Sequence, residues 1–250
     1  MDMIVVVPTY NESQNLGRFV SALLSLQSIE LRVLVVDDNS PDGTGQIAEE
    51  LAQENTGKVS VLHRAEKQGL GTAYIAGFRE ALKMNPDAIA QMDADFSHPP
   101  EMLVKFLEVL ENCDLVIGSR YIPGGSVDRN WPYWRKSLSA FGNYYARTIL
   151  RMPIYDLTSG FKIWRRKTIS AMPLERVRSN GYAFQIEMTY LAHKLGFSVK
   201  EAPFYFPDRV QGKSKMSFNI QLEAAIRVWQ LLGEYRSISK FQDINGKGVA

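Results

Sequence analysis

A rhythm in the first 120 residues constrains this chain more than any single motif. Short apolar runs alternate with helical patterns about five times, and several of the runs are rich in β-branched residues. Met3 to Val7, Leu31 to Val36, Lys58 to His63, Ala88 to Met92 and Asp114 to Gly118 read as strands. Helical spacing fills the intervals, to about Leu26, from Thr44 to Glu54, from Gly69-Leu70-Gly71-Thr72 to Met84, and from Pro99 to Glu111. The first two runs are continuously apolar rather than alternating, which marks strands buried on both faces. The pattern predicts an α/β fold: an open, mostly parallel sheet with helices on both faces. At 250 residues the chain is long enough for one such domain, expected over 1–238, with a polar, disordered tail over 239–250.

Ligands of open α/β sheets lie outside the carboxyl ends of the strands. The polar clusters Tyr10–Glu12, Asp37-Asp38, Asp93–Asp95 and Arg120 all fall at such ends. In an extended chain, residues two apart point to one side, so Asp93 and Asp95 are expected to converge. Two close carboxylates repel unless a cation or proton lies between them. Mg²⁺ or Mn²⁺, held by few protein oxygens and the phosphates of a substrate, suits the pair. An isolated Asp-x-Asp more often only ends a strand and caps the next helix; the coincidence of strand ends favours the site here. Asp37 could accept hydrogen bonds from a nucleobase or ribose. Arg120, Arg135, Arg209 and Lys215 could grip phosphates, although any one such cation is ordinarily a solvated surface charge. Arg209 and Lys215 flank Gly212 in a loop able to close over a ligand. Gly69-Leu70-Gly71 at a helix start is a weak phosphate-seat signal, since the rest of a nucleotide fingerprint is missing. His63 and His98 lack a His or Cys at ligand spacing and read as structural.

The second half is less regular. Tyr133 to Leu150 forms a helical stretch with Trp134, Leu138, Phe141, Tyr145 and Ile149 on one side and Arg135, Lys136, Arg147 and Arg151 around it. Such a helix either docks on the sheet or lies in a membrane interface. Short strands follow near Trp164, Phe197–Glu201 and Phe204–Phe206, helices from Ala183 to Lys194 and from Phe218 to Tyr235. A net charge of +2 without a dense basic tract argues against nucleic acid as a partner. Cys113, the single cysteine, precedes an apolar run and reads as a buried residue in a reducing compartment. No segment approaches the roughly 18 apolar residues that span a bilayer. A strand begins almost at once, leaving no room for a signal peptide. The expectation is a soluble or peripheral protein at the cytoplasmic face of a membrane.

Val7-Pro8-Thr9-Tyr10-Asn11-Glu12, Asp37–Thr44 and Gly69–Tyr74 resemble inverting family 2 glycosyltransferases of the GT-A fold. Met92-Asp93-Ala94-Asp95-Phe96-Ser97-His98-Pro99-Pro100, Gly118-Ser119-Arg120-Tyr121 and Asp208-Arg209-(five residues)-Lys215 are similar to those of dolichol-phosphate (polyprenol-phosphate) mannose synthases. The resemblance covers about residues 3–235. It implies transfer of mannose from GDP-mannose to a polyprenyl monophosphate with inversion. It implies that Pro8, Tyr10, Glu12, Val35 and Asp37 hold the nucleotide and that Asp93, Ala94 and Asp95 hold metal and diphosphate. Arg120, Arg209 and Lys215 would contact phosphates, and Arg135 matches a second acceptor-phosphate arginine. Ser97 stands where some relatives offer a Gln side chain to the metal. A lipid phosphate is already an anion and needs no base to attack, which fits the lack of a candidate base; Arg120 and Arg135 would align it with the leaving diphosphate. The helix from Tyr133 would lie on the membrane, with the protein docked peripherally or through a membrane partner. Three other readings stay open. They are a UDP-hexose transferase to the same lipid, a non-catalytic sugar-nucleotide-binding subunit, and a nucleotidyltransferase. The last would want a Gly-rich basic loop where Thr9-Tyr10-Asn11-Glu12 stands.

Overall fold

The computed structural model describes residues 1–208, 218–238 and 240–241. The first half alternates as expected: β1 (Asp2–Thr9), α1 (Leu16–Leu24), β2 (Glu30–Asp37), α2 (Thr44–Glu54), β3 (Val59–His63), α3 (Leu70–Lys83), β4 (Ala88–Gln91), α4 (Met102–Leu110) and β5 (Leu115–Ser119). The second half adds β6 (Ser126–Val127), α5 (Tyr133–Leu150), β7 (Lys162–Arg165), α6 (Arg166–Ala171), α7 (Gly181–Lys194), β8 (Val199–Pro203), β9 (Tyr205–Phe206) and α8 (Phe218–Glu234). β6, α6 and a single 3₁₀ turn at Leu174–Arg176 carry no signal in the sequence pattern above; each is six residues or shorter.

Seven strands form one sheet in the order β3-β2-β1-β4-β7-β5-β8. All neighbours run parallel except β7, which lies antiparallel between β4 and β5. A separate parallel pair joins β6 to β9. The continuous apolar runs have the cause inferred from them. Ile4, Val6, Leu34 and Val36 enter one core, and Met3, Val5, Val7, Val33 and Val35 the other, on opposite sheet faces. Each such fully buried side chain contributes about 1.5–3 kcal/mol through removal from water. Helix α3 approaches β1 so closely that a β-carbon on Gly77 would lie 2.4 Å from a Val6 methyl. Cys113 is buried. Of the expected tail, Lys240 and Phe241 are among the described residues; the Phe241 ring stacks on Phe197 and its N–H donates to the Leu195 carbonyl at 2.8 Å. The remainder lies outside them.

Candidate functional site

The loops after β1 and β2 are tied to each other. In the sheet Thr9 neighbours Asp37, and its hydroxyl donates to Asp37 Oδ1 at 3.1 Å. The Ser40 hydroxyl donates to the same oxygen, and the Ser40 N–H to Asp37 Oδ2 at 3.1 Å. Backbone N–H groups of the first loop then reach side chains of the second: Asn11 to Ser40 (3.2 Å), Glu12 to Thr44 (2.9 Å) and Ser13 to Asp42 (3.1 Å). Asn11 and Asn39 take left-handed backbone angles, which asparagine tolerates better than most residues. Burial works against the Asp42 charge, but hydrogen bonds from Thr44 and Ser13 prevail and hold its pKa at about 2. Asp38 pairs with Arg64 at 2.6 Å; burial outweighs that attraction and raises its pKa. Lys67 lies 3.7 Å over the Tyr10 ring, and Glu12 accepts from the Asn15 amide at 2.9 Å.

Of the expected nucleotide contacts, Pro8, Tyr10 and Glu12 are partly accessible at this rim. Asp37 is 3% exposed at its side chain, with both oxygens engaged by Thr9 and Ser40. Val35 is fully buried inside β2, so its side chain presents no surface to a ligand.

Asp93 and Asp95 do not stand on the strand itself, so strand alternation does not set their directions. β4 ends at Gln91, and the two aspartates stand in a turn followed by Phe96 at φ 62°. The Tyr74 hydroxyl donates to Asp93 Oδ1 at 2.9 Å, and burial, with the Asp93 charge after it, raises the Tyr74 pKa. Asp95 Oδ1 accepts the Ser97 N–H at 3.0 Å. Ser97 is 1% exposed and Ala94 2%. The Asp93 N–H donates to His98 Nδ1 at 2.9 Å, and the His98 ring stacks on Phe161 with centroids 5.1 Å apart. Among the described residues no third His, Cys, Asp or Glu completes a ligand cluster. Two carboxylates alone suit a hard ion that takes its other oxygens from a phosphate-bearing substrate.

On the far side of the turn an aromatic wall joins the cations. The Phe206 ring lies 6.2 Å from His98, 5.3 Å from the Arg120 guanidinium carbon and 5.5 Å from Trp131. Arg135 lies 3.7 Å over the Trp131 ring and reaches Asp208 at 3.4 Å. Arg120 is buried, with Nε and Nη2 forked onto Asp156 at 2.8 and 2.7 Å and Nη2 shared with Thr158. Burial opposes the Arg120 charge, but Asp156 more than offsets it and locks the proton on. Asp156 is fixed in turn by Glu201, which accepts its N–H at 2.9 Å. Arg209 and Lys215 lie outside the described residues.

Two features bear on readings the sequence left weak or open. Gly69 and Gly71 do not form an open phosphate seat. A β-carbon on Gly71 would lie 2.4 Å from the Ser179 carbonyl, and one on Gly69 2.8 Å from the Asn180 amide oxygen. These glycines admit the segment before α7. On α5, the residues turned inward are Asn143, Ala146 and Leu150, while Tyr133, Trp134, Phe141 and Tyr144 are 62–88% exposed. The neighbouring α8 exposes Ile226 and Trp229, and the Trp229 indole donates to the Tyr145 hydroxyl at 2.9 Å. Trp134 and Phe141 thus face outward rather than docking on the sheet. Tyr74, Asp156, Trp131 and Phe206 were not singled out as site residues in the sequence, because Tyr74 meets Asp93, Asp156 meets Arg120 and Trp131 meets Phe206 only across long stretches of chain.

The pattern of glycosyl transferase family 2 matches residues 4–172. A polyprenol monophosphomannose synthase of Mycolicibacterium smegmatis is 45% identical over 233 residues, covering 92% of this chain and 87% of the relative. An undecaprenyl-phosphate mannosyltransferase of Micrococcus luteus is 43% identical over 240 residues, covering 95% and 98%. Among solved structures, mannosyl-3-phosphoglycerate synthase from Rubrobacter xylanophilus superposes with a TM-score of 0.66 at 18% identity, covering 100% of this chain and 79% of that one. Glucosyl-3-phosphoglycerate synthase from Mycobacterium tuberculosis, solved with Mn²⁺, UDP and glucosyl-3-phosphoglycerate, gives 0.62 at 16% identity, covering 93% and 79%. The fold is therefore of the GT-A type. The chain belongs to glycosyltransferase family 2.

Proposed function

Taking the chain as a family 2 glycosyltransferase, we propose that it moves mannose from GDP-mannose to the phosphate of a polyprenyl monophosphate, inverting the anomeric carbon. The observation that carries this reading is the continuity of the site. Through Phe206 a single wall runs from the Asp93–Asp95 turn, by way of His98, to Arg120 and to Trp131 beneath Arg135. The names of the similar synthases support the sugar and the class of acceptor.

In this reading Tyr10 and Glu12 line the nucleotide side, with Pro8 and Asp37 behind them and Ala94 next to the diphosphate. Asp93 and Asp95 hold Mg²⁺ or Mn²⁺, with Ser97 bracing Asp95 through its N–H rather than serving as a ligand. The ion, when bound, supplies neutralisation of the departing diphosphate. Arg135, Arg209 and Lys215 draw the acceptor phosphate in, and Arg120, held by Asp156, keeps a fixed positive charge behind it. The acceptor oxygen carries its own negative charge, so the residues need only align it opposite the leaving group. Among the described residues no helix is long and apolar enough to cross a membrane. The exposed aromatics of α5, with Arg135 and Lys136 at one end and Arg147 and Arg151 at the other, instead suit a membrane interface at the cytoplasmic face. The acceptor phosphate would then arrive at Arg135.

A thermal-shift titration with GDP, UDP and ADP, each with and without Mn²⁺, tests the donor. Ligand binding to the folded state raises the midpoint by mass action. A shift with GDP that requires Mn²⁺ is expected. A shift with UDP alone would move the donor to another hexose, and no shift with any nucleotide would remove the catalytic reading.

A further inference from the structure

Tyr74 is an unusual residue to find in an apolar core. It sits in the second turn of α3, fully buried, its ring stacked at 3° on Phe184 of α7 (5.8 Å) and at 28° on Phe78 (5.9 Å). A phenylalanine would fill the place and bring no polar atom to satisfy. The hydroxyl instead reaches Asp93 Oδ1 at 2.9 Å. The Asp93 backbone is held separately, its N–H on His98 Nδ1. Backbone and carboxylate are thus gripped by different side chains, and the grip on the carboxylate comes from outside the turn.

We propose that Tyr74 is a positioning residue for the divalent ion: its O–H claims one oxygen of Asp93 and turns the other toward the ion. The proposal rests on the reading that Asp93 and Asp95 hold that ion. Outer partners of this kind orient metal ligands, and their loss costs about 10–100-fold in metal affinity. The stack between Phe78 and Phe184 keeps the ring from following the carboxylate, so the hydrogen bond sets an orientation and not merely a contact.

Tyr74→Phe removes the hydroxyl and keeps the ring. In the presence of GDP, with free Mn²⁺ followed by electron paramagnetic resonance, its Mn²⁺ dissociation constant is expected to rise by about tenfold or more. Its metal-free thermal midpoint is expected to stay near wild type, and its transfer rate to recover at high Mn²⁺. Phe78→Leu serves as the packing control, because it disturbs the same stack and leaves the hydroxyl. It is expected to lower the midpoint without changing Mn²⁺ affinity. Unchanged Mn²⁺ affinity in Tyr74→Phe, or equal losses of affinity in both variants, overturns the proposal. Wild-type protein that binds no nucleoside diphosphate in a metal-dependent way overturns the reading of Asp93 and Asp95 beneath it, a result recognisable before either variant is made.

Discussion

The rim proposed to receive the donor and the wall proposed to receive the acceptor are built by different means. Around β1 and β2 the loops are stitched by short, direct hydrogen bonds: Thr9 and Ser40 on Asp37, Thr44 and Ser13 on Asp42, Arg64 on Asp38. On the acceptor side Arg135 rests on the face of Trp131 and holds Asp208 only at 3.4 Å. The Trp131 indole N–H is buried with no hydrogen-bond partner among the described residues. A rim fixed in advance loses little freedom when it receives a ligand, which favours one rigid partner. Cation–ring contacts are less directional than hydrogen bonds and tolerate sliding, which would suit the proposed anion on a long flexible lipid. Arg120 is the exception on the acceptor side, pinned as tightly as anything on the donor side.

The contrast can be broken by substitution, and the largest effect falls where the two regions meet. Asp95→Ala is expected to reduce transfer by about a thousandfold or more, near 4 kcal/mol of barrier, with little change in the thermal midpoint. Unfolding of that variant at the expression temperature would instead make Asp95 a structural residue. Asp156→Ala strands the buried Arg120 charge. Breaking a buried pair costs about 3–5 kcal/mol, and urea unfolding should register most of it. An unchanged unfolding midpoint there would erase the distinction drawn for Arg120.

Arg135→Ala should divide the two regions most sharply. The KM for the lipid acceptor is expected to rise by about tenfold, 1.4 kcal/mol, while the GDP-induced thermal shift stays the same. A matching loss of GDP binding would mean that the regions are not separate. The smallest effect concerns Asp42. Its pKa is lowered by folding, so the stability it contributes is complete above its unfolded value near 3.8 and is lost as pH falls through about 2. The difference in midpoint between wild type and Asp42→Asn should therefore shrink between pH 4 and pH 2. A difference independent of pH would assign the effect to packing.

The donor side was largely legible in the sequence because its parts are local. Each buried run ends in its own polar loop, and the sheet brings those loops together without further instruction. The acceptor side was less so. Nothing in Lys162–Arg165 distinguishes a strand that runs antiparallel from its neighbours, since strand direction depends on the connections and not on the residues within. Asp156 gave no sign of its pairing with Arg120, 36 positions earlier. Gly69 and Gly71 gave only a weak signal for a related reason: glycine at a helix start marks close approach, but not whether a phosphate or another piece of backbone makes it. The exposed face of α5 was visible as a row of aromatics, yet periodicity alone could not say which side turned inward.

The placement of β7 bears on how this protein can be divided. β5 does not touch β4; both hydrogen-bond to β7, which arrives more than forty residues after β5 ends. A fragment stopped after β5 would hold every strand of the donor side and still leave β5 with no sheet to join. A cut directly after β5 therefore does not yield a self-contained piece. A chain shortened from its carboxyl end must keep Lys162–Arg165 to keep its sheet in one piece, and a split-protein design should place its break outside the interval from β4 to β7.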